Sequence, residues 1–181
     1  MGSVGDVAEA RLVVLESLEG LDDAAAAVAA DLRSRGIDHE LLACDPAYAD
    51  TALFCEHYGV DPADSANTIV VASKREPRRF VACVVLATTR LDVNGAVRRR
   101  LGVSKASFAS ADDTAALTGM AIGGVTPFGL PDGLPVWIDA RVMGRERVVV
   151  GGGSRSLKVR VPPAVLAALP EAEVVEGLAV T

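Results

Sequence analysis

Few side chains in this chain have the chemistry of catalysis. His39 and His57 are the only two histidines, and neither sits in a metal-spaced cluster or beside a Gly-x-Ser-x-Gly elbow. Each reads as a helix-surface or strand-edge residue. Cys44, Cys55 and Cys83 form no Cys-x-x-Cys pair, so they read as small buried thiols rather than zinc ligands or a disulfide framework. The acid pairs Asp22-Asp23 and Asp112-Asp113 fall where helix starts favour negative charge. What remains is backbone chemistry in two glycine-rich places. In Gly123-Gly124-Val125-Thr126-Pro127-Phe128-Gly129, glycines permit close approach or positive φ, and Pro127 stiffens the loop and restrains Thr126. Its N–H and C=O groups can be aimed at a carbonyl or an amine, with Phe128 walling a pocket. Gly151-Gly152-Gly153-Ser154 follows the apolar run Val148-Val149-Val150 and offers successive N–H groups, a nest for a phosphate or an oxyanion. The same two segments also suit tight turns, one between strands and one at a bulge.

The elements that position these loops can be read from periodicity. Val7, Leu12, Val13, Leu15 and Leu18 give an apolar stripe that predicts helix, and Asp22-Asp23 open an Ala-rich helix ending at Arg35-Gly36. A short strand is expected over 37–43, then a helix behind Asp50 that stops at Gly59. The runs 68–71 and 80–86 are nearly continuous and rich in β-branched residues, so they read as adjacent buried strands joined by the charged turn 74–79. Short helices are expected over 96–101 and 111–117, strands over 134–138, 147–150 and 157–161, a last helix over 164–169, and a strand-like Val174-Val175. Strands and helices alternate without a regular βαβ repeat, which points to a mixed or antiparallel sheet with helices around it.

Length and composition agree with one globular unit. The 181 residues are 50% apolar and 23% charged, enough apolar material for a continuous core and too much for a disordered chain. No apolar run reaches a membrane span, and the first residues have no signal-like stretch, so a cytoplasmic protein is expected. The net charge of -6 hides a segregation: residues 1–73 carry -11, residues 74–160 carry +8 and residues 161–181 carry -3. A basic block can hold a polyanion even in an acidic protein, because the local face decides. Pairing with the acidic flanks is the other use for the same charges.

At the glycine loop the sequence resembles a known family. Gly123 to Gly129 is similar to the signature loop of the YbaK/EbsC aminoacyl-tRNA deacylases, the prolyl-tRNA synthetase-associated editing domain. Val60-Asp61-Pro62 followed by Thr68-Ile69-Val70-Val71, Arg90-Leu91-Asp92, Ala115 to Gly119, Leu134 to Asp139 and Gly151 to Ser154 resemble the family's other segments in the same order. The resemblance covers roughly residues 37–178. It implies an α/β fold of the α+β type, with a mixed, barrel-like sheet surrounded by helices. The expected organisation is an N-terminal helical segment over 1–36 packed on an editing domain over 37–181, a single globular unit.

The resemblance further implies hydrolysis in trans of the ester of a mischarged tRNA carrying a small amino acid, such as cysteine or alanine on tRNA for proline. It implies no metal or organic cofactor. The expected partners are the aminoacylated 3′ end of tRNA and, beyond it, an aminoacyl-tRNA synthetase. Gly124 and Thr126 would act at the ester, while Pro127, Phe128 and Gly129 shape the pocket. Gly152, Gly153 and Ser154 would hold the terminal adenosine or its phosphates, with Asp139 a further substrate contact. Asn67 stands where the family places a pocket lysine directly before its central strand; it hydrogen-bonds but carries no charge. Lys74, Lys105 and Lys158 are the only lysines, and none lies in that register. Arg75, Arg78, Arg79, Arg98, Arg99 and Arg100 would form a basic rim for the tRNA backbone. A non-catalytic module of the same fold, binding a tRNA end, a nucleotide or a protein, is the alternative.

Overall fold

The structure, a computed structural model, describes residues 10–181. Three sheets organise the described residues. Strands β1 (Glu40–Ala43), β2 (Ala66–Ser73), β3 (Phe80–Leu86), β4 (Arg90–Leu91), β5 (Ala106–Phe108), β6 (Val136–Asp139), β7 (Val148–Gly151), β8 (Leu157–Val161), β9 (Ala172–Val175) and β10 (Ala179–Val180) interleave with α1 (Asp23–Ser34), α2 (Thr51–Tyr58), α3 (Arg98–Leu101), α4 (Ala111–Thr118) and α5 (Pro163–Ala167). The largest sheet has the order β5-β2-β3-β6-β9 and a second has the order β1-β8-β7, while β10 and β4 form a small pair. β3 pairs antiparallel with β2 and parallel with β6, so the large sheet is mixed. A bridge between Ser65 and Val149 joins the start of β2 to β7. β5 and β9 remain outer strands, and the sheets do not close into a barrel.

β3 shows why its sequence is apolar without alternation. Ala82, Val84 and Leu86 face a main core shared with α1, β7 and β8, while Val81, Cys83 and Val85 face a second cluster with Leu91, Val97, Leu101 and Leu178. Both faces are covered, so both demand apolar side chains. α1 joins the main core through Ala25, Val28, Ala29 and Leu32. It starts where Asp22 accepts from Ala25 N, as the acid pair implied. α2 and α4 end at Gly59 and Gly119 in the left-handed conformation, the expected stops.

The expected helix through Leu12 to Leu18 does not form. Leu15 N donates to Leu41 O, Ala43 N donates to Val13 O, and Val14 bridges Leu42, so this stretch is extended along the outer edge of β1. Leu15 and Leu18 pack on the main core and Leu12 on a smaller cluster, while Val13 stays exposed; Val7 lies outside the described residues. Residues 93–97 take a wide π turn ahead of α3, held by Asp92, which accepts from Gly95 N and Ala96 N. β4, β5 and β10 are additional short strands. All three cysteines are buried and unpaired. No helix of the described residues is long and apolar enough to cross a membrane.

Candidate active site

A cavity of about 480 Å³ lies along the first half of β2. Its walls include Ala66 to Val70, Gly123 and Val125 of the glycine loop, Val149 to Gly151 of β7, Asp50 and Thr51 at the start of α2, and Lys158 of β8. β5 pairs with β2 only at Val71 to Ser73. Ala109 N donates to Val70 O, so by strand alternation Thr68 turns its N–H and C=O toward the same unpaired edge. Exposed backbone groups are therefore part of the cavity wall. Phe108 and Ile122, each more than half exposed, mark its solvent side.

Lys158 is the buried cation of this site, only 5% exposed. Its Nζ donates to Ala49 O at 2.6 Å and to Gly123 O at 3.2 Å, and lies 5.4 Å from the centre of the Phe54 ring. Burial pushes its pKa below that of an ordinary lysine, partly offset by neighbours such as Asp50. Among the described residues no carboxylate forms an ion pair with it. Burial also pushes the Cys44 and Cys55 thiols up, which keeps both protonated and poorly nucleophilic near neutral pH.

Of the residues singled out by sequence, Asn67 lines the cavity, and its side-chain oxygen accepts from the Thr51 hydroxyl. That bond leaves the amide NH₂ free of protein partners among the described residues. Thr68 also lines it, with a buried hydroxyl that has no hydrogen-bond partner. The glycine ribbon behaves differently. Gly153 N donates to Gly124 O at 2.7 Å, clamping the two glycine segments together. A Cβ on Gly124 would meet Ser154 Cα at 2.6 Å, one on Gly151 would meet Val125 O, and one on Gly153 would meet Val28 of α1 at 2.7 Å. These glycines serve close packing of loop on loop and loop on helix.

Phe128 is fully buried in the main core rather than walling the cavity, and Thr126 is likewise buried, its hydroxyl unpartnered. Pro127 and Gly129 face a smaller separate depression with Asp31 and Leu134. Gly152 and Gly153 are buried, and the Ser154 hydroxyl bonds that of Ser156, which donates to Asp22 Oδ2. Asp139 is buried, accepting from Arg141 N and Ala179 N at 3.0 and 2.9 Å. It therefore ties β10 to the end of β6, away from the cavity.

The arginines divide by their partners. Arg78 pairs with Asp113 at 2.9 Å, Arg79 donates to Leu101 O, Arg98 donates to Asn94 O, and Arg100 pairs with Glu173 over the Trp137 ring. Arg75 and Arg99 are exposed.

A family model described as the aminoacyl-tRNA editing domain matches residues 45–169. The chain belongs to this family. Its YbaK-like fold is shared with solved structures: a protein described as a candidate trans-editing enzyme for prolyl-tRNA synthetase is 25% identical with a TM-score of 0.76, over 89% of this chain and 99% of that one. A hypothetical protein is 24% identical with a TM-score of 0.75, over 84% and 99%. A scaffold used for epitope grafting, at 24% identity and a TM-score of 0.76, shares the same fold over 89% and 99%. The matched span of this editing domain contains every residue named above as lining the cavity, while α1 and β1 lie before it.

Sequence reasoning missed Lys158, Thr51, Thr68, Phe108 and Ile122. In Leu157-Lys158-Val159-Arg160-Val161 the charges alternate with core residues, the pattern of a strand whose second face meets water. Here α2 covers that face at Lys158, with Phe54 and Cys55 packed against Leu42, Cys44 and Val149. The apolar residues at those positions were the available signal.

Proposed function

We propose that this editing domain is a trans-acting deacylase that hydrolyses the ester linking a small amino acid to the 3′ end of a mischarged tRNA, with tRNA for proline as the expected carrier. The observation that supports it is the composition of the cavity: unpaired backbone at Thr68, the signature loop at Gly123 and Val125, an Asn67 amide NH₂ without a partner among the described residues and a buried cation meet in one space of about 480 Å³. A volume of that order takes one small ligand. The terminal ribose shares it with the aminoacyl group, which favours a small side chain.

Positioning supplies much of the rate in this scheme. The Asn67 amide and the unpaired Thr68 backbone groups orient the aminoacyl group. Asp50, whose side chain does not cap α2 and whose Oδ1 accepts from Arg155 at 3.2 Å, offers its second carboxylate oxygen to the substrate ammonium. Hydrolysis adds water at the ester carbonyl carbon and releases the ribose oxygen; one proton of the water ends on that oxygen and the other leaves as the amino acid ionises. The neighbouring ribose hydroxyl passes the first of these protons.

Phe108 lies opposite Val71, and Lys105 O accepts from Lys74 N at the other end of β5. Three residues of strand span roughly 10 Å, so a chain of nucleotides leaving past Phe108 meets the basic turn of Lys74, Arg75, Arg78 and Arg79. Arg98, Arg99 and Arg100 extend the same rim. The test is a panel of tRNAs for proline bearing alanine, cysteine, serine or proline, incubated with the purified protein. Ester loss above the spontaneous rate for a small non-cognate amino acid is expected. Binding of the same tRNAs without turnover would replace the deacylase by a binding module.

A further inference from the structure

We propose that Lys158 is a catalytic residue of this site, its ammonium reaching the cavity from β8 and binding the oxyanion that forms on the ester carbonyl. This rests on the deacylase reading above. The start of β2, where the family resemblance expects a lysine, holds the neutral Asn67, yet both residues line one cavity. A charge therefore enters the same volume from a different strand.

Three observations carry the assignment. First, Lys158 is buried without a carboxylate partner among the described residues, a costly arrangement that packing does not require, since an apolar side chain would suit its neighbours Leu42, Phe54 and Val149 better. Second, its position is fixed. Two of its three N–H donors are engaged, by Ala49 O at 2.6 Å and Gly123 O at 3.2 Å, which leaves one for a ligand. Third, the Gly123 carbonyl belongs to the signature loop, so the same bond that orients the ammonium registers it against the backbone that borders the substrate.

In the reaction, the oxygen of water forms a bond to the ester carbon and the carbonyl π pair moves onto its oxygen. The Lys158 ammonium donates its remaining hydrogen bond to that oxyanion and keeps its proton. The pair then returns, the bond to the ribose oxygen breaks, and the proton balance is the one given above. A donor preorganised in a water-poor site favours the charge that develops in the transition state over the neutral ester.

The experiment measures kcat/KM on the small-amino-acid ester that the wild type hydrolyses fastest. Lys158→Met is expected to lower it about 100- to 1,000-fold, the effect of losing one oxyanion donor, and Asn67→Lys in the Lys158→Met background to recover at least roughly tenfold of that loss. The pH profile is compared between wild type and Lys158→Met, because the substrate ammonium held by Asp50 also titrates and Cys44, Cys55, Asp50 and Arg155 all act on the Lys158 ammonium. Because the Lys158 ammonium must be protonated and burial lowers its pKa, the rate corrected for spontaneous hydrolysis is expected to fall as pH rises through a midpoint below the ordinary lysine range; the residual rate of Lys158→Met lacks that fall. Wild-type turnover with an undiminished Lys158→Met rate, or with no alkaline fall that the variant lacks, overturns the assignment and leaves the deacylase reading standing. No wild-type turnover on any ester of the panel overturns both.

Discussion

The glycine ribbon and the cavity wall use the backbone in opposite ways. In the ribbon, Gly124, Gly151 and Gly153 lack side chains because other backbone already occupies the space. Along the first half of β2 the backbone faces a cavity, and the side chains beside it are short and polar: Thr51, Asn67, Thr68. Glycine thus serves packing at the first site, while hydrogen-bonding capacity serves recognition at the second. The glycine-rich signature is where the loops brace one another, and its cavity-facing residues lie at the border, at Gly123, Val125 and Gly151.

The sharpest way to break this contrast is Phe128→Ala. If the ribbon is bracing, truncating this fully buried ring is expected to cost about 3–5 kcal/mol in denaturant unfolding, with kcat/KM nearly unchanged where the variant is still folded. A stable but inactive variant would return Phe128 to the substrate pocket.

Asn67→Ala tests the other region. Activity is expected to fall about 10- to 100-fold, the loss of a positioning hydrogen bond of roughly 1.5–3 kcal/mol, and the melting temperature to change little because the side chain is only partly buried. Turnover at the wild-type level would remove Asn67 from the site.

Asp22 joins the glycine ribbon to α1. Hydrogen bonds from Ala25 N and from the Ser154 and Ser156 hydroxyls hold its carboxyl below the usual carboxylate range. Asp22→Ala is expected to cost about 1 kcal/mol as a lost helix cap. The folded pKa is the lower one, so this contribution is present above the unfolded value and disappears as pH falls through the folded value. Equal destabilisation at pH 7 and pH 2 would contradict it.

The smallest effect expected is at the rim. Arg75→Glu with Arg99→Glu should weaken tRNA binding several-fold at low salt and flatten the salt dependence by about one to two counterions, leaving stability within about 0.5 kcal/mol. An unchanged salt slope would move the tRNA path elsewhere.

Much of this architecture was legible because local signals agreed with the tertiary environment. β3 was found over 80–86 because two covered faces leave an unbroken apolar run, and α2 and α4 were bracketed by acids and glycines with clear terminal roles. The N-terminal stripe failed because Leu12, Val13 and Leu15 satisfy a helical spacing as well as an extended edge, and only the partner β1 decides between them. At the site, Asn67 was singled out by the resemblance, which expects a lysine beside the apolar run 68–71; in the structure it is the second residue of β2 and lines the cavity. Lys158 was not, since burial of the second face of β8 depends on α2, which lies a hundred residues earlier in the chain. Phe128 was misplaced for the mirror reason: a loop aromatic was assigned to a ligand wall when the core lay directly behind the loop.

The extended segment along β1 has a consequence for how this protein can be cut. Leu15 N and Val13 O occupy backbone groups of Leu41 and Ala43 that would otherwise form a bare strand edge. The span matched by the family begins at residue 45, so a fragment trimmed to it loses that cover, β1 itself, and the α1 residues that fill the main core. Trimming only the first 20 residues is milder and more revealing: it removes the partly buried Leu12, Leu15 and Leu18 but keeps α1 and every fully buried core residue, and it uncovers a strand edge able to recruit a strand from another molecule. Self-association, rather than unfolding, is the expected fate of that shortened chain.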